Sequence, residues 1–336
     1  MTANDDSPVI EVSDLVKVYG GDTRAVDGIA FGVTPGELFG FLGPNGAGKT
    51  TTIRILATLL APTEGTARVA GFDVTEHPAE VRSRLGLAQQ EPALDAFSTG
   101  RETLELAGIL HRMSRAEVKR RADELLELMG LSAVATKLTG TYSGGMKRRI
   151  DLASALMHHP PVLILDEPTE GLDPQSRTAL WEELERINKS GTTMLLTTHY
   201  MEEADRLCSR LAIIDNGKIV IEGSPEDLKR SIGADTVVLQ LVSTNGDLES
   251  QRASVRRLLE GMVDADAVSS HPDGVTLSVP NASAAVPAML RRLDSEGIPI
   301  AGLQMSQPSL DTVFLKYTGR HIREEAADQP LPIMGY

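Results

Sequence analysis

Cysteine is nearly absent: Cys208 is the single one in 336 residues. A lone cysteine excludes an internal disulfide and fits a reducing compartment such as the cytosol. Positive charge is also in short supply. Against 47 Asp and Glu there are 33 Lys and Arg, a formal net charge of −14. That balance disfavours a general nucleic-acid binder, because phosphate backbones are held by Lys and Arg. The deficit is not a tail effect, since residues 231–336 alone carry 8 basic and 13 acidic side chains. No uncharged apolar run reaches the ~18 residues needed to span a bilayer. The opening stretch, MTANDDSPVIEV, lacks the basic and apolar regions of a signal peptide. What is present, 41% hydrophobic and 24% charged residues, predicts a soluble globular chain with one large domain and a smaller one.

Residues 36–60 read GELFGFLGPNGAGKTTTIRILATLL. Leu38–Leu42 predicts a buried strand and Thr51–Leu60 a helix with an apolar face. Between them, Gly43-Pro44-Asn45-Gly46-Ala47-Gly48-Lys49-Thr50 satisfies the phosphate-loop pattern in its strand–loop–helix setting. The glycines let backbone N–H groups turn toward phosphate oxygens, and the helix N-terminus adds its dipole. Lys49 is placed to reach the β- and γ-phosphates and Thr50 to ligate Mg²⁺. The alternative is a glycine-rich turn that binds nothing.

A second segment, VLILDEPTEGLDP at 162–174, begins as a short apolar strand, Val162–Leu165. Such a strand suits the interior of a parallel sheet. Asp166 at its carboxyl end lies where open α/β sheets collect ligand chemistry and would hold Mg²⁺. Glu167, next along an extended chain, points a different way and suits activation of an attacking water. Taken alone, the pair is an ordinary polar strand end. Asp173 and Pro174 predict the N-cap and first residue of a helix over Pro174–Ile187. A third strand, Met194–Thr198, ends at His199, which is either a packed side chain or one that reaches the γ-phosphate.

The stretch TYSGGMKRRID at 141–151 sets loose backbone in front of a helix expected over 146–158. Gly144 and Gly145 leave the helix N-terminus bare enough for an anion to approach, and Ser143 adds a hydroxyl at the N-cap. A serine-capped helix serving its own chain has the same local chemistry. Ser114-Arg-Ala-Glu117 forms a capping box ahead of an amphipathic helix, whose basic run Lys119–Arg121 predicts a solvated face.

In this order the motifs resemble those of the nucleotide-binding subunit of ABC transporters, over about residues 8–230. The signature departs from its common form, with Tyr142 in place of Leu and Met146 in place of Gln, while Ser-Gly-Gly is kept. This YSGGM form is most similar to the daunorubicin-resistance type, which works with separately encoded permeases. The resemblance implies an α/β phosphate-loop ATPase domain with a mixed sheet and a helical subdomain at about 95–160 that docks on the permease. It implies that Tyr19 stacks on adenine and that Gly43–Thr51, including Thr51, cradles ATP. It implies that Gln90, beside Gln89, touches Mg²⁺ and links to the membrane partner, that Glu167 is the general base, and that His199 senses the γ-phosphate. Ser143, Gly144, Gly145 and Asp173 would then act on the nucleotide of a second copy in a head-to-tail dimer that sandwiches ATP. The expected function is an ATP-hydrolysing subunit of an exporter for an amphipathic drug or lipid, held peripherally on the cytoplasmic face of the cell membrane, with no nucleic-acid partner. Two other functions compete: a soluble ATPase of this class acting on a nucleic-acid or ribosomal partner, and a nucleotide-gated regulatory module. The acidic charge and the single cassette weigh against the first, the intact Glu167 against the second.

Beyond the cassette the composition changes. Ser224-Pro225-Glu226-Asp227 opens a helix that Gly233 ends. Strands over Val237–Val242, near Val263–Val268, over Val275–Val279 and over Ile298–Met305 alternate with helices over Ala253–Met262 and Ala284–Leu293. This βαββαβ order predicts a ferredoxin-like α+β domain at 234–318. PSLDTVF at 308–314 resembles a motif that ends daunorubicin-type ATPases, with Asp311 near a helix start and suited to capping. Residues 319–336 read as a disordered tail.

Overall fold

The computed structural model describes residues 7–20, 23–242, 248–259 and 268–319. In chain order its elements begin β1 (Ile10–Tyr19), β2 (Thr23–Val33), β3 (Leu38–Leu42), α1 (Lys49–Leu56), β4 (Glu64–Val69), β5 (Phe72–Asp73), α2 (Pro78–Arg82) and β6 (Leu85–Ala88). Then come α3 (Gly100–Leu110), α4 (Arg115–Leu128), α5 (Gly144–Ala155), β7 (Val162–Asp166), α6 (Pro174–Lys189), β8 (Thr193–Thr198), α7 (Met201–Leu207), β9 (Arg210–Asp215) and β10 (Lys218–Gly223). The last are α8 (Pro225–Ile232), β11 (Asp235–Leu241), α9 (Leu248–Leu259), β12 (Val268–His271), β13 (Gly274–Val279), α10 (Ala282–Ser295), β14 (Ile300–Ser306) and α11 (Leu310–Thr318). Up to Pro225 the chain forms one compact unit, and Glu226–Lys316 forms a second.

The first unit is α/β. Its six-stranded sheet runs β10-β9-β3-β8-β7-β6, with β10 antiparallel at one edge and the other five parallel. Every residue of β3, β7 and β8 is buried, which is why the strands carry the apolar runs Leu38–Leu42, Val162–Leu165 and Met194–Leu196, with Asp166 and three threonines at the strand ends. A second sheet, antiparallel in the order β2-β1-β4-β5, packs into the same core. Phe31 of β2 meets Phe39 and Phe41 of β3 there, with ring centroids 4.8 to 5.7 Å apart. The strand order positions the site. β3, β8 and β7 are parallel neighbours, with Leu42 in register with Thr198 and Asp166 with Thr197, so whatever follows them emerges on one edge.

Helix starts follow side-chain chemistry. Ser114 and Glu117 close the capping box read from the sequence, and Thr99 with Glu102 forms another ahead of α3. α3 packs against α4 and α5. Of the basic run in α4, Lys119 and Arg120 are exposed as expected. Arg121 is not a solvated residue: it folds inward to donate to the Leu156 carbonyl at 3.2 Å while pairing with Glu124. The helix expected over 51–60 instead begins at Lys49, behind Gly48, and is over by Leu56, because Thr58 turns left-handed at φ 61°. α5 is capped by Ser143, as read from the sequence, and its helical turns begin directly behind that cap at Gly144, two residues before the expected start. Among the described residues no helix is long and apolar enough to cross a membrane.

The second unit is α+β. Its antiparallel sheet has the order β12-β13-β11-β14, and with α9 and α10 it has the ferredoxin-like sequence of elements. Val237, Leu239, Val275 and Leu277 pack against Val255, Leu259, Met289 and Leu293. The strand expected near 263–268 is described only from Val268, residues 260–262 of the expected helix lie outside the described residues, and so does the expected tail from 320 onward. Asp311 does not cap α11. The Ser309 hydroxyl does, accepting from the Thr312 N–H at 3.3 Å.

Candidate active site

The loop after β3 is held from behind. The Gly43 N–H donates to the Thr198 carbonyl at 3.2 Å, and the Gly217 N–H donates to the Ala47 carbonyl at 3.0 Å. Gly46 at φ 82° and Gly48 at φ 107° occupy the left-handed region, and a Cβ at Gly48 would run into the Ala25 carbonyl. These turns fold the loop back so that α1 opens with the N–H groups of Lys49, Thr50 and Thr51, which have no acceptor within the helix. Asn45 and Gly46 are exposed at the tip, while Pro44 and Ala47 are buried. Lys49 is 3% exposed and donates to the carbonyls of Gly43 at 2.6 Å and Pro44 at 3.0 Å. Its ammonium also lies 3.1 Å from Glu167 Oε1.

Asp166, at the end of β7, turns its carboxylate toward α1. Oδ1 accepts from the Thr197 hydroxyl at 2.6 Å and from the Thr50 hydroxyl at 3.3 Å. One carboxylate and one hydroxyl beside a phosphate loop suit Mg²⁺, which keeps most of its ligands as water and phosphate oxygen. Among the described residues no group of three His, Cys, Asp or Glu could hold a metal by itself. Gln90 lines a cavity of about 320 Å³ together with Gln89, Thr50 and Asp166. Its amide, however, donates to the Glu170 carboxylate.

Glu167 occupies the centre. It is 5% exposed and sits at φ 45°, a left-handed conformation that costs a non-glycine residue about 1–2 kcal/mol. Its N–H donates to both the carbonyl and the hydroxyl of Thr197, each at 3.1 Å. This turn, rather than extended alternation, separates the direction of Glu167 from that of Asp166. The carboxylate lies between Lys49 and His199, whose Nδ1 is 2.7 Å from Oε2. Burial pushes the Glu167 pKa up, but the His199 hydrogen bond and the Lys49 charge outweigh it and hold the group below the ordinary glutamate value. It is therefore ionised at neutral pH. His199 itself packs at a tilt on Tyr200, ring centroids 4.1 Å apart and planes at 41°, and Tyr200 carries the Arg177 guanidinium at 4.4 Å.

Lys49, Thr50, Asp166, Glu167 and His199 thus meet at one place. The remaining candidates do not join them within the chain. Ser143 caps α5 by accepting from Met146 N–H at 3.3 Å, and Asp173 caps α6 by accepting from Ser176 N–H at 3.0 Å. Among the described residues no hydrogen bond or ion pair links either to the loop 43–50. Ser143, Gly144 and Asp173 are exposed. Gly145 is buried, and a Cβ there would lie 2.9 Å from Ser176 Oγ, so it is glycine for packing against α6. Tyr19 is 41% exposed at the end of β1, with the Lys17 ammonium 5.6 Å from its ring centre.

Three contributors escape sequence reasoning. Thr197 and Arg148 hold the carboxyl end of β7 and Glu170 holds Gln90, yet a threonine in a strand or an arginine in a basic run carries no signal by itself. Arg148 is 4% exposed, and its guanidinium donates to the carbonyls of Asp166, Pro168 and Gln89.

Comparison with known proteins accords with this geometry. The ABC transporter family matches residues 26–170, and the C-terminal domain of ATP-binding protein DrrA1-3-like proteins matches residues 223–318. The daunorubicin/doxorubicin resistance ATP-binding protein DrrA of Streptomyces peucetius is 43% identical over 325 residues, covering 95% of this chain and 96% of that protein. The Nod factor export ATP-binding protein I of Ralstonia nicotianae is 37% identical over 319 residues, 95% of this chain and 96% of that one. A dimeric ATP-binding cassette solved in a post-hydrolysis state with ADP and Pi superposes with a TM-score of 0.59 at 26% identity, over 64% of this chain and 98% of that chain. With its five site residues assembled at the ends of β3, β7 and β8, this chain belongs to the ATP-hydrolysing subunits of ABC transporters, of the daunorubicin-resistance type.

Proposed function

We propose that this chain drives a separately encoded integral-membrane permease, exporting an amphipathic drug or lipid through cycles of ATP hydrolysis. The observation that carries the catalytic part is the Glu167 carboxylate held between Lys49 and His199 beside the Thr50–Asp166 pair. Glu167 accepts the proton of the attacking water, and its carboxylate is ionised for that role at neutral pH. His199 holds that carboxylate in position through Nδ1. Lys49 carries the positive charge that meets the β- and γ-phosphates, and the loop Gly43–Thr51 presents its N–H groups to them. Thr50 and Asp166, with Gln90 in the same cavity, would hold Mg²⁺, which supplies neutralising charge to the phosphate oxygens. Tyr19 offers an exposed ring to the adenine. The gain comes from positioning and electrostatics.

Cassettes of this class work as dimers with a membrane permease. Here the exposed Ser143, Gly144 and Asp173, with no bond to their own phosphate loop, support a head-to-tail pair in which they and Gly145 complete the partner's nucleotide site. The export names of the relatives support outward transport, and the permease partner would hold the chain on the cytoplasmic face of the membrane. The cassette is residues 8–230, with permease contacts in 95–160, and 234–318 is an accessory domain. Glu167→Gln tests the reading: turnover falls about 100-fold or more, and light scattering with Mg·ATP finds an accumulated dimer. A Glu167→Gln chain that stays monomeric and turns over at the wild-type rate would sink it.

A further inference from the structure

Arg148 lies on α5, the helix that Ser143 caps, yet nearly all of its hydrogen bonding is spent on backbone elsewhere. Nε donates to the Pro168 carbonyl at 2.8 Å, Nη2 to the Asp166 carbonyl at 2.9 Å, and Nη1 to the Gln89 carbonyl. The only carboxylate that pairs with it is Asp151, at 3.5 Å, among the described residues. A charge buried this deeply is tolerated only when its donors are satisfied, and here three main-chain oxygens do most of that work. Asp166 and Pro168 are the residues on either side of Glu167. The fork therefore grips the carbonyls of the two residues that flank one in a left-handed conformation, which persists only where its surroundings over-determine it. Thr197 holds the Glu167 N–H from the other side. The third bond reaches Gln89, whose neighbour Gln90 binds Glu170 farther along the same segment.

We propose that Arg148 is a positioning residue for hydrolysis: it ties the backbone of the base, and of the 89–90 segment, to the helix that carries Ser143. This rests on Glu167 being the base and on Ser143 facing the partner's nucleotide. It adds that the nucleotide seated against α5 in one site sets the geometry of Glu167 in the other. Lysine cannot replace arginine in this role, because a single ammonium on a flexible stem does not serve three carbonyls in a fixed fork.

The test uses the full-length chain with Arg148→Lys, Arg148→Gln, Glu167→Gln and the double variant Arg148→Lys/Glu167→Gln. Affinity for a fluorescent ATP analogue should stay within about threefold, while kcat of both Arg148 variants falls about 10- to 100-fold, the cost of a misplaced catalytic group. Single-turnover rates of the double variant should match those of Glu167→Gln alone, because Arg148 acts through Glu167. A kcat of Arg148→Lys within twofold of wild type overturns the proposal. So does a loss that adds to that of Glu167→Gln, and so does melting of both Arg148 variants more than about 10 °C below wild type, which marks a structural role. Normal turnover by Glu167→Gln is a different failure, that of the base assignment itself.

Discussion

At the scale of single residues, this protein stores several charges where water does not reach, and each is held by a different device. Glu167 is kept ionised by His199 and Lys49, and Arg148 is kept charged by carbonyls. Glu183 on α6 has less help. Its Oε1 is 3.9 Å from Arg149, its Oε2 has no hydrogen-bond partner, and burial raises its pKa to about 7. The folded state therefore binds this proton more tightly than the unfolded chain does. The stability it contributes is fully present below the unfolded pKa near 4.5 and is lost as pH rises through about 7. Glu183→Gln removes that loss. The melting temperature of Glu183→Gln minus that of wild type should become more positive between pH 5 and pH 8, by about 3 °C. A difference independent of pH would mean that Glu183 is ionised throughout.

Elements meet more tightly than their separate patterns suggest. The start of α5 approaches the start of α6 so closely that Gly145 has Ser176 Oγ 2.9 Å and Ser176 Cβ 3.1 Å from where its own Cβ would be. Ser176 is in turn fixed by Asp173, whose carboxylate accepts its hydroxyl at 2.6 Å. Gly145→Ala should then cost about 1–3 kcal/mol through overpacking. Ser176→Gly should recover part of that cost in a double-mutant cycle read by chemical denaturation. Strict additivity would show that the glycine is there for a ligand rather than for the α5–α6 contact.

For the whole molecule, the decisive question is which copy completes which site. One chain carrying Lys49→Ala and another carrying Ser143→Arg should each be inactive as a pure dimer. If sites are shared, the mixed dimer contains one site with an intact Lys49 from one chain and an intact Ser143 from the other. Trapping of labelled nucleotide with a phosphate mimic should rise in the mixture above either pure variant. No rise, with mixed dimers verified by differential tags, would leave Ser143 a helix cap in its own chain. The acidic surface charge of the chain bears on solubility and nonspecific binding, not on this pairing.

The sequence by itself determined whatever a few consecutive residues can decide. The phosphate loop, the capping box at Ser114, the Asp173–Pro174 helix start and the buried strands Leu38–Leu42 and Val162–Leu165 are local chemistry, set by backbone sterics, hydrogen bonding and apolar periodicity. Tertiary structure decided what lies together. Lys49, Glu167 and His199 converge because β3, β8 and β7 are parallel neighbours, and strand order depends on pairings between segments far apart in the chain. It also decided that Gln90 binds Glu170, that Ser309 rather than Asp311 caps α11, and that Arg121 and Arg148 turn inward. A charged side chain in a basic run looks solvated until a neighbouring element offers it carbonyl oxygens. Those oxygens come from residues that sequence spacing cannot bring near.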